Sequence, residues 1–170
     1  MPDEIFEDEL DDYLESIADD YYDAVTHLRE PFAQAEAHAG GEMASCILTG
    51  RTPGGEPYPP LAERTIKKRV NKGKIRGNHG GLKAGNIRPL IETGALIRSL
   101  QDGPGHVQDI EDTYFTTGTD LTTEAGRPYA AFQNFGAGNI PAREFGGFTP
   151  DAEQRVADLV ADHIVAKMTR

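Results

Sequence analysis

Glycine and proline are concentrated where a long helix or sheet would otherwise cross the middle of the chain. The run Thr49–Leu61 holds four prolines and three glycines, and Asn71–Asn86 holds five more glycines. Proline lacks a backbone donor and glycine loses the most conformational freedom on ordering, so neither run suits the interior of a long element. Regular structure must therefore flank this region. A length of 170 residues suits one domain. We divide it into a helical N-terminal part (1–48), a basic Pro/Gly-rich loop or arm (49–92) and an α+β core with a C-terminal helix (93–170).

The flanks carry clear periodicity. Phe6, Leu10, Tyr13, Leu14, Ile17, Tyr21, Val25 and Leu28 fall on one helical stripe, separated mostly by Asp and Glu. Pro31 is expected to break or restart this helix. A second helix is then expected over about 31–48, with a possible bend at Gly40-Gly41 and Cys46 on its packed side. Leu61–Val70 has enough helix formers for a short basic helix, and 71–86 reads as a loop. Thr93 is a candidate cap for a short helix carrying Leu96, Ile97 and Leu100. HVQDI and TYFTTGTD read as two strands turning at Glu111-Asp112. A short helix is expected near Tyr129, followed by an extended segment to Phe145. Thr149 and Pro150 then open an amphipathic final helix. The expected fold is α+β, with long terminal amphipathic helices packed on a small, mainly antiparallel sheet.

The net charge of −11 is strongly polarised. Residues 1–30 hold 12 acids and one base, whereas 51–88 hold ten bases and two acids. Two readings of the basic segment stand side by side: a solvated loop, or a contact for an acidic partner such as nucleic acid or a neighbouring copy's acidic segment. The bases concerned are Arg64, Lys67, Lys68, Arg69, Lys72, Lys74 and Arg76. Likewise, the acidic face of the first helix can be simply solvated or can serve a partner. Outside the basic segment the only lysine is Lys167, and Asp is abundant, a composition resembling proteins of salt-loving organisms. High salt weakens phosphate-directed binding by the counterion term.

Chemistry is sparse. Ser16, Ser45 and Ser99 lie in no nucleophile elbow, and no two of the five histidines share helical metal spacing. His163 is expected to be a packed or half-exposed residue rather than a ligand. The glycines at 77, 80 and 81 lack the Gly-Lys-Ser/Thr of a phosphate loop. A single cysteine excludes an intrachain disulfide and a thiolate zinc cluster. No apolar run of about 18 residues suggests a membrane span, and the acidic start is unlike a signal peptide. No catalytic residue, metal or cofactor is expected, so the chain does not read as an enzyme.

Several short motifs occur in an informative order: PGGEPYPPLAERTIKKR from Pro53, PLIETGALIRSL from Pro89, YAAFQNFGAGNIPAREF from Tyr129, then the final helix. This series resembles the virion morphogenesis, or tail-completion, proteins of tailed phages, including the Mu-like ones. The correspondence falls on Leu61 and Thr65; on Leu90, Thr93, Gly94, Leu96 and Ser99; on Tyr129, Ala130 and Gly136; and on Pro141, Ala142, Arg143 and Phe145. It spans about residues 45–168. Tyr58 stands where that family usually has Trp, and Gln133-Asn134 where it tends to have His-Gln. Residues 1–40 fall outside it. The resemblance implies a structural protein of the head–tail junction that completes the tail and joins it to the head as a homo-oligomeric ring, hexameric in that family. Its partners would be neighbouring neck, adaptor, tail-terminator or tail-tube proteins, with genome DNA in the channel. Its place would be the virion, after assembly in the host cytoplasm, and the acidic composition suggests a haloarchaeal tailed virus. On this basis Tyr129, Phe132, Phe135, Pro141, Arg143 and Phe145 are interface candidates. Arg143 can serve an intersubunit carboxylate or an intrachain cap, and the aromatics can be core or interface.

Overall fold

The structure is a computed structural model that describes residues 3–75 and 87–169, with side chains over 10–72 and 87–169. Arg76, Lys83 and the glycines at 77, 80 and 81 lie outside the described residues, as does the Lys74 side chain. Two helices, α1 (Asp3–Thr26) and α2 (Arg29–Thr49), form one long element bent at His27-Leu28. Pro31 sits in the first turn of α2, where backbone N–H groups have no intrahelical partner to lose, so the helix begins two residues earlier than its proline suggests. The Leu28 N–H donates to the carbonyl of Asp112 at 3.0 Å, which pins the bend to the rest of the fold.

Helix α2 runs without interruption through Gly40-Gly41 to Thr49. Gly40 serves another purpose. A Cβ there would collide with the backbone carbonyl of Leu100, whereas one at Gly41 would meet nothing within 4 Å. The missing side chain lets α2 lie directly against the end of α4 (Ala95–Ser99). That helix has Gly94, not Thr93, at its cap position, while the Thr93 hydroxyl accepts from the Ala95 N–H at 3.3 Å.

Helix α3 (Glu63–Ile75) extends five residues beyond the expected basic helix and takes in Gly73. Arg69 Nη1 donates to the carbonyls of Arg88 at 2.9 Å and Ile91 at 3.0 Å, and Lys72 Nζ pairs with Glu92 at 3.0 Å. These long-range bonds secure the last turns against the glycine's cost. Strands β1 (His106–Ile110) and β2 (Phe115–Thr119) form the expected antiparallel hairpin, His106 opposite Thr119 and Ile110 opposite Phe115. After α5 (Tyr129–Phe135) and an extended stretch comes α6 (Pro150–Met168), whose cap Thr149 accepts from the Ala152 N–H at 3.1 Å.

The architecture is thus α+β, with long terminal helices and a two-stranded sheet. Of the long helices, α2 lies on the hairpin; α6 instead packs chiefly on α2 and the end of α1. Thr149 bonds Glu42 and Lys167 bonds Asp23, so α6 runs antiparallel to α2 and overshoots onto α1. The core gathers Met43, Cys46, Ile47, Tyr58, Leu90, Leu96, Leu100, Ala130 and Phe145. Cys46 is a packed thiol, pushed up from its ordinary value by burial and then by Glu42. Among the described residues no helix is long and apolar enough to cross a membrane.

The two neighbouring glycines give a paired test. Gly40→Ala should destabilise the protein by about 1–3 kcal/mol through overpacking on a rigid carbonyl. Gly41→Ala should stabilise it by about 0.5–1 kcal/mol by lowering the entropy lost in the helix. Urea unfolding of both variants measures the opposite signs.

Candidate assembly interface

The segment from Tyr129 to Phe145 is shaped by two buried polar side chains. Asn134, 7% exposed, accepts through Oδ1 from the N–H groups of Phe145 and Gly146, each at 2.8 Å. The chain can double back to reach it because Gly136 adopts φ 78° in a turn where a Cβ would lie 2.9 Å from the Ile140 carbonyl. Arg143, 3% exposed, donates from Nε to the carbonyl of Pro59 at 3.0 Å and from Nη2 to that of Pro60 at 3.1 Å. The carbonyls of Pro59 and Pro60 lie in an irregular, turn-rich connector outside any helix or ladder, and the guanidinium fork supplies their donors. Of the two roles open to Arg143 in the sequence, this is the intrachain one.

The remaining candidates divide by exposure. Phe145 lies in the core at 3% exposed, and Tyr129 and Phe132 are half-buried. Tyr129 lies near Arg69, Glu92 and Arg143, and burial pushes its hydroxyl up from the ordinary value. Burial and the neighbouring Arg69 lower Arg143. Phe135 is 75% exposed and Pro141 is exposed. Phe135 and the 40%-exposed Phe148 border an apolar groove of about 370 Å³ floored by Met43, Leu100 and Phe145. Phe148 packs at a tilt on Phe115, ring centroids 6.2 Å apart, and Phe115 on Phe32 at 5.5 Å, which steadies one wall of that groove.

The basic residues do not form one surface. Arg64, Lys67 and Lys68 are exposed at helical spacing, with Lys67 bridged to Glu63 at 3.2 Å. Arg69 turns inward, and with Lys72 it holds Glu92. The hydrogen bond from Lys72, and then Arg69, hold the Glu92 carboxyl below its ordinary 4.5 against the opposing effect of burial.

One polar cluster escaped the sequence. Glu36, 4% exposed on α2, accepts from Gln108 Nε2 and Thr117 Oγ1, both at 2.6 Å, and lies 3.3 Å from His106 Nε2. A nearby serine and histidine suggest a catalytic set, but the geometry is wrong for one. Ser99 Oγ donates to the Leu96 carbonyl and accepts from Thr119, and His106 reaches only the Ser99 backbone carbonyl. The cluster staples the hairpin to α2. An acid among small residues in α2, with Gln and Thr alternating in the strands, was its only trace in the sequence. Among the described residues no three His, Cys, Asp or Glu side chains gather as a metal site, and His163 is half-buried on α6. Compared with protein-family models, with curated proteins and with solved structures, the chain finds no match.

Arg143→Lys should cost about 1–2 kcal/mol in unfolding free energy, because an ammonium cannot reproduce the two-pronged donation. The folded Glu92 carboxyl binds its proton less readily than the unfolded one. Its contribution to stability is therefore complete above about pH 4.5 and is lost as pH falls through its lower folded value. Wild type should exceed Glu92→Gln in stability near neutrality, and the gap should shrink as pH falls below 4.5. Urea midpoints across that range provide the measurement.

Proposed function

We propose that this chain is a structural, non-catalytic subunit of the neck of a tailed virus, completing the tail and joining it to the head as a ring of identical copies. The observation that carries this reading is the ordered motif series, together with the way its parts meet. Tyr58 of the first motif, Leu90, Leu96 and Leu100 of the second, and Ala130 and Phe145 of the third share one core. Arg143 ties the last motif to Pro59 and Pro60 of the first. Segments scattered over some ninety residues are thus one structural unit, as an inherited series of motifs requires. The exposed Phe135 and the groove beside it offer an aromatic anchor and a pocket of the kind oligomer interfaces use.

The neighbours in this reading are neck, adaptor, tail-terminator or tail-tube proteins, with a hexameric ring around the genome channel. The composition supports a haloarchaeal host, with assembly in its cytoplasm. Immunogold electron microscopy of purified particles tests the assignment: label is expected at the head–tail junction, and its absence there overturns it. Phe135→Ser should leave unfolding stability within about 0.5 kcal/mol, as at an ordinary surface site, while lowering incorporation into particles.

A second reading rests on the outward row Arg64, Lys67 and Lys68, which suits a nucleic-acid backbone. Charge-neutralising the segment 64–76 should then abolish low-salt DNA binding. Unchanged binding removes that reading.

A further inference from the structure

We propose that the acidic helix α1 of one copy docks on the basic helix α3 of the next, a head-to-tail contact that deepens the ring reading above and rests on it. Every residue from Leu10 to Tyr22 is exposed. Within this stretch Leu10, Tyr13, Leu14, Ile17 and Tyr21 share one face, at 55%, 63%, 53%, 38% and 55% exposure. Further along the same face Ala24 is fully buried, because α6 reaches the last turns of α1. The apolar stripe therefore continues beyond the part of the body that covers it. A solvated helix has no use for three aliphatic and two tyrosine side chains in register.

Charge selects the occupant. Helix α1 carries eleven acids and neither Lys nor Arg. Two copies of α1 side by side would repel, and an amphipathic helix that binds a membrane surface carries a basic polar face, not an acidic one. The complement is on the same chain. Helix α3 has six bases and one acid, and Arg64, Lys67 and Lys68 face outward beside the half-buried Ile66 and Val70. Basic side chains can lay their aliphatic stems over the stripe while their heads reach Asp11 and Asp20, which flank it. The Lys67–Glu63 pair is no obstacle, because its side chains are 71% and 82% exposed and such a bridge exchanges readily.

Position makes the contact intermolecular. Helix α1 joins the start of α2, whereas α3 is tied to the end of α2: Arg69 donates to the Arg88 carbonyl, and Arg88 to the Leu48 carbonyl. A 21-residue α2 puts these attachments about 30 Å apart. Donor and acceptor are different patches, so the contact is heterologous and propagates from copy to copy.

Full-length variants with exposed substitutions test this by sedimentation velocity over a concentration series at ~0.15 M salt, where surface charges still act over about 8 Å. Lys67→Glu with Lys68→Glu, and separately Asp11→Lys with Asp20→Lys, should each weaken self-association by roughly tenfold or more. An equimolar mixture of the two variants should regain wild-type assembly, because each α1 then meets an α3 of opposite charge. Leu14→Asp should also weaken association, and circular dichroism confirms that each variant is folded. A wild type that stays monomeric, either charge variant assembling normally, or a mixture that fails to recover overturns the contact. Assembly unaffected by the variants leaves the neck reading standing, while absence of the chain from the head–tail junction removes that reading even if the mixture recovers.

Discussion

The contact between α2 and the carbonyl of Leu100 sets the spacing on which the core depends. With no side chain at Gly40, α2 comes against the Leu100 carbonyl just past α4, and Ile47, Leu96 and Leu100 are almost wholly buried in one core. A few residues back along α2, the buried carboxylate of Glu36 accepts from Gln108 and Thr117 of the hairpin and lies 3.3 Å from His106 Nε2, and this fixes the sheet to the same helix. Further forward, Cys46 and Met43 carry the core toward Tyr58 and Phe145. A two-stranded hairpin is marginal by itself, so the sheet exists because α2 supplies both its apolar cover and its polar anchor.

Much of this was readable from sequence. The terminal helices, the hairpin and its turn, the short helix at Tyr129 and the Thr149 cap follow from periodicity and cap chemistry, which are local properties. What local reasoning missed were the tertiary causes. Gly40-Gly41 looks like a weak point in a helix, yet one glycine marks a close approach to another element, and only the partner backbone reveals it. Helix α3 looked too short because Gly73 disfavours helix locally, while Arg69 and Lys72 find their partners about twenty residues away. Glu36 could not be told from a surface acid before Gln108 and Thr117 were seen beside it.

The candidate site was legible in part. Its residue set was identified from motif order, but the roles separated on folding: Arg143 and Phe145 serve the interior, Phe135 faces outward, and Tyr129 stands at the boundary. Arg143 shows why. An arginine after a proline reads equally well as a donor for a neighbour or for its own chain, and the choice fell to two carbonyls at Pro59 and Pro60 that lie more than eighty residues earlier. The basic segment divides similarly, with Arg69 and Lys72 holding the helix in place while Arg64, Lys67 and Lys68 stay outside.

The bend at His27-Leu28 gains a geometric meaning from this arrangement. In a head-to-tail series of copies, the angle at which the donor helix leaves the body determines the rotation from each subunit to the next. That angle is held by the backbone bond from Leu28 N–H to the Asp112 carbonyl in the hairpin turn and by α6, which packs on the last turns of α1 and pairs Lys167 with Asp23. A few degrees there separate a series that closes on itself after a whole number of copies from one that winds into an open filament. The turn of a hairpin with five-residue strands would thus help set the angle of the proposed assembly.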